Sequence, residues 1–269
     1  MHSGSLERLS APLPAVSTAT TTRIAVAGDT GTGAGTPIEG TVRAIVEQDR
    51  QHGYDVLVLL GDLIYPDGGA EQTRERIIDV FEPITSRGAD LIPVLGNHDY
   101  VSDEQADLLL QLGREKSWYA DQVGIARIIV LDTEQVDNPA QTAWLAQTLA
   151  SPTTAAWTII AMHKPAYSAG YHGSEQAIQQ LWVPLFERYE VPLVLAGHDH
   201  DYQRSTLIDG VTYVVSGGAA TLRPTGHQDF TAASTSTLHF VDLLLEPGRL
   251  ALRTIDQNGL RFDSVELER

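Results

Sequence analysis

The chain has 269 residues, 42% of them hydrophobic, and a formal net charge of −17 at pH 7. Its length allows a sizeable buried core, as one large domain or two small ones. The acidity excludes a general binder of nucleic acid or anionic membrane, which needs a basic field, and no run of about 18 apolar residues is present to span a bilayer.

Residues 1–22, rich in Ser, Thr, Ala and Pro, read as a flexible tail, and residues 23–269 as a single domain. No basic segment followed by an apolar stretch opens the chain, so no signal peptide is visible; the chain as it stands reads as cytoplasmic, or as extracytoplasmic if a signal was removed. With no cysteine there is no disulfide framework and no thiolate chemistry.

Residues 23–27 predict a first strand ending at Gly28-Asp29. Over 36–51 a helix is expected, with Pro37 in its first turn and Ile38, Val42, Ile45 and Val46 at helical spacing. The run beginning at Val56 predicts a strand buried on both faces, which stops abruptly at Gly61-Asp62, with Tyr65 three residues on. Residues 71–81 predict a helix with Ile77, Ile78 and Phe81 inward, 90–95 a strand, 102–112 a helix, 125–131 a strand and 140–150 a helix. A strand over 157–162, a helix over 175–189 interrupted near Pro184, and a strand over 193–196 complete an alternation that argues for a substantially parallel sheet. Beyond His200 the signals are those of hairpins: 205–208 and 211–215 flank Asp209-Gly210, and runs at 238–245, 250–255 and 260–267 are separated by Pro247-Gly248 and Asn258-Gly259. This carboxyl third is expected as a second, antiparallel sheet packed on the first, with residues 221–237 a mobile loop.

Five apolar runs end in residues able to bind metal or move protons: Gly28-Asp29, Gly61-Asp62, Gly96-Asn97-His98-Asp99, Met162-His163 and Gly197-His198-Asp199-His200. Asp132 ends another such run and is assigned no role. Parallel strands deliver their carboxyl ends to one edge, so these tips are expected to gather there. Asp29, Asp62 and Asp99 would then repel one another without cations between them. A donor set of carboxylate, amide, phenolate and imidazole suits Zn, Fe or Mn better than Ca or Mg. His198 and His200, one residue apart, face the same side of an extended segment while Asp199 points away. One metal cannot easily take Asp29, Asp62, Tyr65, Asn97, His163, His198 and His200; two metals sharing Asp62 can, and such a pair clamps a phosphoryl group in displacement.

These blocks, in this order between residues 24 and about 204, resemble those of the calcineurin-like metallophosphoesterases. Gly31 together with Tyr65 resembles the purple acid phosphatase subgroup, since the broader family places His at the position of Gly31 and lacks the tyrosine. The resemblance implies an α/β fold, an α/β/β/α sandwich of two packed mixed β-sheets flanked by helices. It implies Fe(III) held by Asp29, Asp62, Tyr65 and His200, and a divalent Fe, Zn or Mn held by Asp62, Asn97, His163 and His198. Charge favours iron: against two carboxylates and a phenolate, a ferric–divalent pair leaves the site positive by two, and two divalent ions by only one. The implied function is a dinuclear-metal phosphomonoesterase acting on small phosphate esters through a metal-bound hydroxide. His98 is expected to stabilise phosphate or protonate the leaving alkoxide, Asp99 to orient it, and His172 to help bind phosphate or serve as the other proton donor.

A phosphodiesterase or nucleotidase on the same metals is the runner-up, and a non-catalytic metal or phosphate binder a remoter alternative. The glycines at 28–35 fit neither a P-loop nor the dinucleotide fingerprint. The extra amino-terminal sandwich of plant-type purple phosphatases has no room in this chain. Oligomeric state is left open.

Overall fold

The computed structural model describes residues 20–269. The tail expected over 1–22 therefore lies outside the described residues up to residue 19, and Thr22 already belongs to the first strand.

From the amino end, β1 (Thr22–Ala27) leads through a glycine-rich turn into α1 (Ile38–His52), and β2 (Val56–Leu60) follows. The stretch expected as one helix over 71–81 is three short helical pieces, a 3₁₀ turn Ala70–Gln72, a π turn Arg74–Ile78 and α2 (Asp79–Thr85). The wider π turn shifts the helical phase, so Ile77 and Phe81 are buried while Ile78, expected inward, is 37% exposed. Next come β3 (Asp90–Val94), α3 (Gln105–Gln111), β4 (Tyr119–Val123), β5 (Ala126–Val130), α4 (Pro139–Ala150) and β6 (Trp157–Ala161). The helix expected to break near Pro184 is split at Trp182 into α5 (Gln176–Leu181) and α6 (Val183–Arg188). The remaining strands are β7 (Leu193–Ala196), β8 (Tyr202–Ser205), β9 (Thr212–Ser216), β10 (Thr231–Thr235), β11 (His239–Glu246), β12 (Arg249–Asp256) and β13 (Arg261–Glu268).

Two mixed sheets result. The first runs β13-β12-β11-β1-β2-β3 and the second β10-β8-β9-β7-β6-β5-β4. Their facing surfaces share one core, in which Ile24, Val26, Val58 and Leu243 meet Ile128, Trp157, Ile159 and Val214. The outward residues of the same strands alternate with these. Leu57 and Leu59 pack under α1–α3, and Ile129 and Ile160 under α4–α6. The layers are helix, sheet, sheet, helix.

The hairpins of the carboxyl third do not form a sheet of their own. Strands β8–β10 extend the second sheet, whereas β11 pairs antiparallel with β1 and carries β12 and β13 into the first. Each sheet is buried against helices on one face and the other sheet on its second, so a strand gains more by joining an existing edge than by founding a third layer. Residues 221–237, expected as a mobile loop, contain β10, paired with β8. Among the described residues, no helix is long and apolar enough to cross a membrane.

Candidate metal centre

Strands β1, β2 and β3 are mutually parallel in one sheet, as are β5, β6, β7 and β9 in the other. Their carboxyl ends meet where the two sheets adjoin. Asp29 follows β1, Asp62 follows β2, Asn97 follows β3, His163 follows β6, and His198 and His200 follow β7. All seven side chains singled out for metal binding, including Tyr65, converge there.

They form two groups joined by Asp62. In the first, Tyr65 Oη lies 3.1 Å from Asp29 Oδ1, 2.9 Å from Asp62 Oδ2 and 3.2 Å from His200 Nε2, with His200 Nε2 3.3 Å from Asp29 Oδ1. In the second, His163 Nε2 lies 3.1 Å from Asn97 Oδ1, 3.2 Å from His198 Nδ1 and 3.4 Å from Asp62 Oδ1. Asp62 thus turns one oxygen to each group.

Hydrogen bonding alone does not account for these contacts. His163 Nδ1 donates to the Leu60 carbonyl at 2.8 Å, which leaves Nε2 with a lone pair. His200 Nδ1 lies 2.6 Å from Thr221 Oγ1, and with that hydroxyl accepting from Nδ1, Nε2 presents a lone pair to the group. Tyr65 has a single proton for three neighbours. Donor atoms left facing one another at 3.1–3.4 Å repel unless a proton or a metal cation stands between them. Ligands about 2.1 Å from a metal are separated by about 3.0 Å along an octahedral edge and about 3.4 Å along a tetrahedral one. The donor set fits two cations.

The electrostatics agree. Burial, with Asp29 and Asp62 adding to it, drives the Tyr65 hydroxyl far above the ordinary phenol range, so only a strong cation would make it a phenolate. Burial and the neighbouring His163 press His198 down to about 2, which keeps its imidazole neutral and able to ligate. His163 is shifted the other way: its burial opposes charging, but Asp62 and Asp29 outweigh it.

Backbone geometry sets these positions. Asp29, Asp62 and His198 are non-glycine residues in the left-handed region, at φ of 58°, 51° and 70°, a conformation that costs roughly 1–3 kcal/mol each. The His198–His200 segment is a tight turn, not extended: Asp199 N–H bonds to Gly197 and Asp201 N–H to Asp199. The two rings consequently serve different groups, while Asp199 does point away, accepting from Ser168 Oγ and, at 2.7 Å, from the His172 N–H.

Asp99 is fully buried, and its carboxylate accepts from the backbone N–H groups of Leu63, Ile64 and Gly96 at 2.8–3.1 Å. It clamps the Asp62 loop to the Asn97 loop. Burial, then the charge of Asp62, raises it to about 7 against the pull of those N–H groups. The expected orienting contact with His98 is made elsewhere, since His98 Nδ1 sits 2.6 Å from the Pro66 carbonyl and the ring meets Tyr65 edge-on. His172 Nε2 accepts from Arg223 at 3.1 Å, and its ring packs on His198. Burial lowers the affinity of His172 for a proton despite the charge of Asp199. Asp132 lies outside the cluster, accepting from Tyr100, Glu134 and Gln135. Sequence reasoning missed Thr221 and Arg223; both fall in the stretch taken for a mobile loop, where spacing carries no signal.

The sequence profile of the calcineurin-like phosphoesterases matches residues 22–202, most of the chain and every residue of the cluster. The chain belongs to this family. Among curated relatives, an uncharacterized protein of Mycobacterium tuberculosis is 29% identical over 150 residues, 40% of this chain and 28% of that one. Rabbit (Oryctolagus cuniculus) tartrate-resistant acid phosphatase type 5 is 28% identical over 212 residues, 65% of each chain. Purple acid phosphatase PPD1 from yellow lupin (Lupinus luteus) seeds superposes with a TM-score of 0.81 at 22% identity, over 95% of this chain and 55% of that one. The chain thus spans less than two thirds of the length of each of these relatives. The lupin structure shares the fold, and the sequence relatives support a likeness to the purple acid phosphatases within the family.

Proposed function

We propose that this calcineurin-like protein is a metal-dependent phosphoric ester hydrolase acting on phosphate monoesters, with Fe(III) at Asp29, Asp62, Tyr65 and His200 and a divalent Fe, Zn or Mn at Asp62, Asn97, His163 and His198. The observation that carries the reading is Asp62, whose two oxygens face two separate sets of lone pairs. When bound, such a pair would supply an activated water and positive charge for the phosphoryl oxygens. Tyr65 favours a ferric ion in the first position, because a phenol between two carboxylates gives up its proton only to a strongly charged cation.

The chain's own groups do the rest. Thr221 and the Leu60 carbonyl fix the ring orientations of His200 and His163, leaving the correct nitrogen free in each. Asp99 positions the Asp62 and Asn97 loops and makes no contact with the leaving group. With Nδ1–H donating to the Pro66 carbonyl, His98 has Nε2 free, and its imidazolium form would pass the Nε2 proton to a departing alkoxide and be left as the neutral ring. His172, whose Nε2 is occupied by Arg223, is a weaker candidate for that transfer.

The test is metal analysis of the purified protein together with kcat/KM for phenyl phosphate and its diester, diphenyl phosphate. Two metals per chain, one of them iron, and a clear preference for the monoester are expected. A preference for the diester would replace this reading with the phosphodiesterase one, and no turnover by the fully metallated protein would end both.

A further inference from the structure

The mouth of the cluster holds a cation that metal binding does not use. Arg223 is tied through its backbone: its N–H donates to the His200 carbonyl at 2.9 Å, and its carbonyl accepts from Ser236 Oγ at 2.7 Å. Its guanidinium lies over the ring of Tyr171, 4.7 Å from the centroid, and donates to His172 Nε2 at 3.1 Å. The His172 ring packs in turn on that of His198, with centroids 4.2 Å apart. The guanidinium therefore stands one imidazole outward from the metal-facing atoms.

Most of its bonding capacity is idle. A guanidinium has five N–H donors, and one hydrogen bond from the Arg223 side chain is made. Among the described residues no carboxylate pairs with it, although the protein has 35 acidic against 18 basic residues. A partly buried guanidinium, placed over an aromatic ring with most of its donors free, suits a planar anion. A phosphoryl group held at the metal pair is separated from it by the His172 ring. What lies within reach is the other half of the ester.

We propose that Arg223, seated on Tyr171, is a specificity-determining residue that selects phosphate esters whose leaving group carries a second anionic group, a carboxylate or a further phosphate. In so acidic a protein it provides local positive charge for the end of the substrate that the metals do not neutralise. Tyr171, 71% exposed, holds the guanidinium in place and offers its ring edge to the leaving group.

This inference rests on the phosphoesterase reading, and matched ester pairs separate the two. The pairs are 3-carboxyphenyl phosphate with phenyl phosphate, and O-phosphoserine with phosphoethanolamine, compared by kcat/KM on the fully metallated protein. Wild type is expected to favour the carboxylated member. Arg223→Gln should reduce that preference about ten- to hundredfold, the range for a charge-assisted hydrogen bond. Arg223→Lys, which keeps the charge but not the fork, should retain part of it. An unchanged ratio in both pairs overturns the proposal. So does an equal loss on both members, which would place Arg223 on the reacting phosphate or in support of the fold. If wild type hydrolyses none of the four, the monoesterase reading fails by itself. The same esters are then compared as ligands by calorimetry, where tighter binding of the carboxylated members, lost in Arg223→Gln, supports the proposal and equal binding overturns it.

Discussion

Tyr65 Oη sits within 3.2 Å of two carboxylate oxygens and an imidazole nitrogen, a crowding that no single proton satisfies. Tyr65→Phe removes the one phenol oxygen among the seven candidate donors. If Tyr65 holds Fe(III) as proposed, its phenolate would give the metal centre a visible charge-transfer band, and the variant should lose that band and at least tenfold in iron affinity with the divalent position still filled, read by absorption spectroscopy and metal analysis. A variant that kept its colour would assign the chromophore elsewhere. Six of the seven candidate donors were legible in the sequence because they lie where apolar runs end, a place where a polar group is unusual; Tyr65 was legible only by its spacing from Asp62 and by the resemblance. Arg223 and Thr221 were not, since nothing about an arginine or threonine in a Thr- and Ala-rich stretch distinguishes a group beside a metal-facing histidine from a solvated one. Asp99 was legible as buried chemistry but not in its role, because a carboxylate that binds backbone N–H groups has the same local sequence as one that faces a histidine.

At the scale of elements, the turns after β1 and β2 are held face to face. Gly31 N–H donates to the Asp62 carbonyl and the Tyr65 N–H to the Gly31 carbonyl, both at 3.0 Å. A Cβ at Gly31 would lie 2.5 Å from the backbone of Leu63 and Ile64. The side chain that the broader family carries here has no space on this backbone, which gives the pairing of Gly31 with Tyr65 a steric basis. Gly31→Ala should cost about 1–3 kcal/mol in urea unfolding and, by displacing Asp62 and Tyr65, lower the content of both metals. Normal metal content in a destabilised variant would separate the packing from the site. Strands buried on both faces, such as β2, were readable from composition. Edge strand β4, Tyr-Ala-Asp-Gln-Val, was not, because only alternate residues are half-buried and its pairing partner, β5, lies across Gly124. The split of the carboxyl hairpins between the sheets was also hidden: turn signals fix which strands are consecutive, not which existing edge they join.

For the molecule as a whole, one acid-sensitive group lies away from the candidate metal centre, in the joint between the two sheets. His239, fully buried, bonds to Ser216 Oγ of the second sheet at 3.0 Å and to the Thr237 carbonyl at 2.7 Å. Burial depresses it from 6.5 to about 4, while the hydrogen bond to Thr237 opposes the shift. The unfolded chain therefore takes up a proton near pH 6.5 that the folded one refuses until about pH 4. The stability this residue contributes is present above pH 6.5 and is lost as pH falls across that interval, by about 3 kcal/mol. Chemical unfolding of wild type and His239→Gln between pH 7 and 4 should show a shallower acid decline in the variant; parallel declines would place the acid sensitivity in other groups.

The pairing of β1 with β11 sets an order in time. Asp29 stands just beyond β1, and one edge of that strand stays open until residues 239–246 arrive to cover it. Residue 200 completes the candidate ligand set, but the sheet that must hold two of those carboxylates against their mutual repulsion is finished only by the final hairpins. A chain cut between residues 200 and 239 would carry all seven candidate donors and still lack the strand that closes the edge of β1.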